Sequence, residues 1–252
     1  MKKTAISRRR FLASSAAAWA TIQMVPGRVL GADGQPAPSR RINVAGIGVG
    51  GMGKNNIGEL AKTENIVALC DVDHAYCAPV FKKHAGAELF KDYRVMLEKR
   101  KDIEAVVIAT PDHTHAVIAA AALRAGKHVY CQKPLTRHVG EARALAKLAA
   151  GSKLVTQMGI QGHSGEGIRL ITEWIRSGAI GEVREVDAWC TLSYYPPGRA
   201  YWCTTHYDRP AEQPAVPEGL DWDLWIGPAP MRPYHPTYHP GRWRAWKTFG
   251  SG

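Results

Sequence analysis

A short apolar run, Ile42 to Gly48, empties into Gly48-Val49-Gly50-Gly51-Met52-Gly53, and a helix-like stretch from Met52 to Ala61 begins at once. Glycines 48, 50 and 53 satisfy the spacing G-x-G-x-x-G. The first permits a tight bend, the second lets main chain approach an anion, and the third lets helix and strand pack closely. Gly51 and Met52 sit where the helix begins, and a helix N-terminus offers free N–H groups and a positive dipole end to phosphates. Alone this motif constrains little. In context it constrains a great deal, because Asp71 ends the next apolar run, 23 residues after Gly48, where a carboxylate can bond ribose hydroxyls. The combination predicts a dinucleotide site. Asp71 would repel a 2′-phosphate, and no Arg or Lys follows it before Lys82, which favours NAD over NADP.

The segments that follow keep the same rhythm. Ile66 to Val72, Ile103 to Ala109, His128 to Cys131 and Leu154 to Met158 read as strands, with a weak extended piece at Leu89-Phe90. Ala75 to His84, Tyr93 to Lys99, His113 to Arg124 and Gly140 to Ala150 read as helices between them. Alternation of this kind predicts an α/β fold, a doubly wound parallel sheet of Rossmann type over residues 40–160. Beyond it, Glu166 to Arg176 is an amphipathic helix, and Val183 to Leu192 alternates with period two. That alternation predicts an open, mostly antiparallel sheet in a second α/β domain over residues 161–252, for substrate or dimer contacts.

The net charge of +11 would suit nucleic acid if it were spread over the fold. It is not. Lys2, Lys3, Arg8, Arg9, Arg10 and Arg28 precede the first acid, Asp33, and the remainder carries +5 with no basic run; no nucleic-acid partner is expected. Residues 1–32 order a basic stretch, the weakly apolar run Phe11 to Val25, and Pro26-Gly27, as an export signal does. Residues 33–39 form a polar linker. The apolar run is too short to leave a stable membrane span. Five cysteines with no C-x-x-C pair suggest neither a zinc site nor a disulfide framework, and no metal is expected.

Two more motifs stand at strand ends: Ala109-Thr110-Pro111-Asp112-His113-Thr114-His115, and Ala125-Gly126-Lys127-His128-Val129-Tyr130-Cys131-Gln132-Lys133-Pro134. With the glycine turn they resemble the glucose–fructose oxidoreductase / inositol dehydrogenase / MocA family, from about Arg40 to Val186. The resemblance implies a substrate among sugars and cyclitols, and a homo-oligomer for the full-length protein. It also implies that Lys133 stands beside the nicotinamide and the reacting carbinol. There its amine could exchange a proton and hydrogen-bond a developing alkoxide. Thr110, Pro111, His115 and Gln132 match cofactor-lining positions, Gln161 a further one, and His163 a substrate position. Gln132 replaces the usual Glu of the family's Glu-Lys-Pro and can orient Lys133 without neutralising it. The family's later Asp/His stretch is not reached before Gly252, so the chain reads as truncated relative to that family.

The N-terminal arginines followed by Phe11-Leu12 resemble a twin-arginine signal, which implies a periplasmic or otherwise exported protein, or a cytoplasmic one if the signal is not functional. Export of a folded protein implies cofactor held tightly and recycled. Three functions stay open: an oxidoreductase of sugar-like substrates, an NAD-assisted glycosidase, lyase or epimerase, and a non-catalytic nucleotide-binding module. The tryptophans crowding the last quarter, Trp189 to Trp246, read as core or interface before they read as sugar platforms.

Overall fold

The structure, a computed structural model, describes residue 37, residues 40–189 and residues 203–251. Six strands form one sheet: β1 (Asn43–Ile47), β2 (Asn65–Cys70), β3 (Glu88–Phe90), β4 (Ala105–Ile108), β5 (His128–Gln132) and β6 (Thr156–Gly159). Their order is β3-β2-β1-β4-β5-β6, and every pairing is parallel. This is the doubly wound arrangement expected. Helices cover both faces, so the central strands are apolar on both sides. Under α1 (Gly51–Leu60) and α2 (His74–Lys83) lie Val44, Leu69 and Val107 with Ile57, Val80 and Phe81. Ala45, Val106, Ile108 and Val129 face the other way, against side chains of α3 (Tyr93–Lys99), α4 (Asp112–Arg124) and α5 (Val139–Ala150).

Neighbouring β1 and β4 send their connections to opposite faces, and the crevice this opens is where such sheets bind ligands. Local chemistry fixes the helix ends around it. Asp73 caps α2 by accepting from the Tyr76 amide at 2.9 Å. Gly126, at φ +74°, follows α4 in the left-handed conformation that ends helices. Strand β6 starts two residues later than its apolar pattern suggests, where the Val155 amide donates to His128 Nδ1 at 2.8 Å.

Beyond the sheet, a short 3₁₀ turn (Gln161–Ser164) leads into α6 (Glu166–Arg176), as the periodicity predicts, with Ile171, Trp174 and Ile175 exposed. Of the alternating segment, Val183–Trp189 has no regular structure, and Cys190 to Leu192 lie outside the described residues. Alternation makes a strand only where a neighbour pairs with it, and no described residue does. From residue 203 onward, α7 (Trp222–Ile226) and its flanks gather Leu220, Trp222, Trp225, Tyr234, Tyr238, Trp243 and Phe249 into a third core. Most of the late tryptophans are thus core, although Trp189 is exposed and Trp202 lies outside the described residues. No described helix is long and apolar enough to cross a membrane.

Candidate active site

The strand ends of β1, β2, β4 and β5 border a cavity of about 420 Å³. Gly48 leaves β1 at φ +76°, and a Cβ there would press on Thr110, so only glycine fits. At Gly53 a side chain would collide with the Gly48 carbonyl; this third glycine is buried and joins helix to strand rather than lining the cavity. The space a side chain at Gly50 would need holds the Tyr76 ring, while Gly51 opens outward. Gly48, Gly50, Gly51 and Met52 line the cavity, and the first-turn amides of α1 have no partner within the helix.

Asp71 is turned toward this bend. Its Oδ2 accepts from the Val49 amide at 2.8 Å and its Oδ1 from the Asp73 amide at 3.0 Å. A carboxylate has about four lone-pair sites, so two bonds leave capacity for ribose hydroxyls. Thr110, Pro111, His115, Gln132 and Lys133 share the same cavity.

Two of these do more than line it. His115 is fully buried, with Nε2 2.9 Å from the Thr110 carbonyl and Nδ1 2.7 Å from the Pro134 carbonyl. It ties the loop after β4 to the loop after β5; a neutral ring donates to one carbonyl at a time. Gln132 is buried and donates from Nε2 to Asn56 Oδ1 of α1 at 3.0 Å. Its amide therefore braces β5 against α1, which corrects the expectation that it orients Lys133. Lys133 itself is exposed at the end of β5. Gln161 and His163 are not brought to the cavity. Both are exposed on the 3₁₀ turn, because the chain turns outward after Gly159.

No motif in the sequence signalled the opposite wall. Trp225, His239, Pro240, Gly241, Trp243 and Arg244, from the aromatic segment, complete the cavity with Tyr76. His239 Nε2 lies 2.8 Å from Asp73 Oδ2, with both side chains mostly buried, which pins this segment to the end of β2. Nearby, Trp225 Nε1 is a buried donor without a partner, and such orphans are rare unless a ligand or water supplies the acceptor. The glycine bend, Asp71 and this orphaned indole are together a donor and acceptor set that fits a dinucleotide.

Profiles of known families agree with the geometry. One, for an oxidoreductase family with an NAD-binding Rossmann fold, matches residues 42–160; a second, for the C-terminal α/β domain of that family, matches residues 177–252. The chain belongs to the Gfo/Idh/MocA oxidoreductase family. Among curated Gfo/Idh/MocA proteins, the inositol 2-dehydrogenase of Pseudomonas savastanoi pv. phaseolicola is 34% identical over 146 residues, 54% of this chain and 42% of that one. The levoglucosan dehydrogenase of Pseudarthrobacter phenanthrenivorans is 37% identical over 92 residues, 36% of this chain and 23% of its own length. The scyllo-inositol dehydrogenase of Lactobacillus casei, solved with NAD(H) and scyllo-inositol, superposes with a TM-score of 0.54 at 26% identity. That match covers 57% of this chain and 43% of the other. The chain thus spans less than half the length of these relatives.

Proposed function

We propose that this chain binds NAD in the strand-end cavity, and that the protein oxidises or reduces a carbinol of a sugar- or cyclitol-like substrate. The observation that carries the reading is the Val49–Asp71 tie at 2.8 Å: it sets an acid against the glycine bend in the cavity that also holds Lys133. The first-turn amides of α1 would face the diphosphate, and Asp71 the adenosine ribose. The nicotinamide, when bound, supplies a two-electron acceptor or donor for the carbinol carbon. Lys133 takes the carbinol proton at Nζ or returns it, and its positive charge stabilises a developing oxyanion. The names of the inositol and levoglucosan dehydrogenases support the substrate class.

The test is a binding and turnover series on the purified chain. NADH binding, read by energy transfer from the cavity tryptophans, should saturate and weaken about tenfold or more in Asp71→Ala, an ordinary cost for a charge-assisted hydrogen bond. Lys133→Met should retain NADH and lose turnover on a cyclitol and sugar panel. Saturable binding that ignores Asp71 would overturn the site assignment.

Cofactor held tightly and recycled, in an exported protein, is the finer form of the proposal. The wall formed by Trp225, His239 and Trp243 supports slow release, and the leader-like N-terminus supports export. Rapid, complete exchange of bound NAD against labelled NAD would contradict it. Redox-neutral cleavage or epimerisation of a sugar, with no net reduced cofactor, would replace net oxidation by transient oxidation.

A further inference from the structure

Away from the cavity, His206, Glu212 and His235 converge. Their donor atoms all lie within 4.8 Å of one another. The two rings meet edge to face, with centroids 5.2 Å apart at 86°. Their spacing in sequence follows no zinc pattern, and so the sequence alone predicts no metal.

A buried threonine pair ties together the two segments that carry the histidines, and Thr205 Oγ1 lies 3.0 Å from His206 Nδ1. Thr204 Oγ1 and Thr237 Oγ1 are 2.8 Å apart, at 2% and 1% exposure. Thr204 Oγ1 also accepts from the His206 amide at 3.0 Å, and the Thr237 amide donates to His235 Nδ1 at 3.2 Å. Each histidine thus stands two residues from the same clamp, which fixes the two stretches of backbone that carry the rings. Glu212 is exposed and forms no ion pair among the described residues. Two imidazoles and one carboxylate are a donor set of the kind zinc takes, with water at the open position. Tetrahedral bonds of about 2.1 Å place donors ~3.4 Å apart, so the three side chains would draw together around a bound ion.

We propose that His206, Glu212 and His235 bind one divalent cation of the zinc class. A cation of this class binds a ring nitrogen through its lone pair. A neutral ring has one such lone pair, now used by the Thr237 amide, so the cation displaces that long contact. His235 stands four residues before His239, and Tyr238 between them packs on Trp222, Trp246 and Phe249, so the cation staples the aromatic wall from outside.

The experiment is a Zn²⁺ titration of the full 252-residue chain after chelator treatment, followed by calorimetry and by the Thr237 amide resonance. One saturating equivalent is expected, with a shift of that amide, and binding should fade as pH drops from 7.5 to 5.5 because protons compete for the imidazoles. Glu212→Gln, on the surface and so without a folding penalty, should weaken it by roughly tenfold; His206→Gln with His235→Gln should weaken it at least ~100-fold. No saturable equivalent below about 100 µM, a boundary midway between micromolar and millimolar binding, overturns the proposal. So does an equivalent that survives in Glu212→Gln at full affinity, or one that leaves Thr237 unmoved.

Discussion

The two walls of the cavity are built by different means. One consists of strand ends: Gly48 to Met52, Asp71, Thr110, Pro111, Gln132 and Lys133 each lie at or just past the end of a strand of the parallel sheet. The other comes from residues 225–244, a Pro- and Trp-rich segment with two short helical turns and no strand. The first wall is held by a ladder of main-chain bonds whose geometry any correct sheet reproduces. The second is held by particular contacts at long range: His113 Nε2 to the Trp225 carbonyl at 3.1 Å, the His113 amide to the Phe249 carbonyl at 3.2 Å, and Ser251 to Asp112. Regular pairing makes a wall that tolerates side-chain change except at glycines. Side-chain contacts make one that fails piece by piece.

Breaking the first wall should have the largest effect. Gly53→Ala forces a Cβ into the Gly48 carbonyl, and backbone cannot yield as a side chain can. We expect a loss of about 4 kcal/mol or more, at the severe end for single substitutions, read as failure to reach a cooperative denaturant transition. A normal transition would show that the bend relaxes. For the second wall, Trp222→Ala removes a stacked partner of Trp225 (4.6 Å, 12°) and a 2.7 Å bond to the Arg232 carbonyl. The cost should be roughly 3–5 kcal/mol, seen as early loss of near-ultraviolet aromatic signal while the far-ultraviolet helix signal persists. Simultaneous loss of both signals would mean the two walls fold as one unit.

Acid should sharpen the same contrast at the seam. Burial lowers the His113 pKa from 6.5 to about 4, against weaker opposing bonds from the Trp225, Ile226 and Phe249 backbone. The unfolded chain takes up this proton as pH falls through about 6.5 and the folded chain only near 4. Stability is therefore full above the first value and declines between the two, by up to ~3 kcal/mol. Thermal melts from pH 7.5 to 4.5 check this, and His113→Gln should flatten the slope. The smallest effect is expected at His239→Asn, which removes the bond to Asp73. We expect about 1 kcal/mol and a faster release of NADH, measured by stopped-flow, with little change in the on-rate.

Legibility in the sequence follows the same division. Asp71 and the glycine bend could be read from spacing because a strand of known rise carries each residue to a fixed place. His115 could be named but not understood: its two carbonyl partners, at Thr110 and Pro134, lie on different loops. Gln132 was visible as a departure from the family's acid, yet its partner Asn56 is 76 positions away. Gln161 and His163 fit by order along the chain and fail in space, since the turn after β6 carries them outward. His206, Glu212 and His235 had no signature at all.

Composition, periodicity and three short motifs determined on their own that this chain builds a parallel sheet with an anion-binding bend at its carboxyl edge. They could do so because those features depend on interactions between near neighbours and on backbone geometry that repeats. Only the tertiary structure decided which distant residues close the cavity, which amide braces which strand, and which histidines meet. Those outcomes depend on contacts between segments tens to more than a hundred residues apart, and no local rule encodes such a distance.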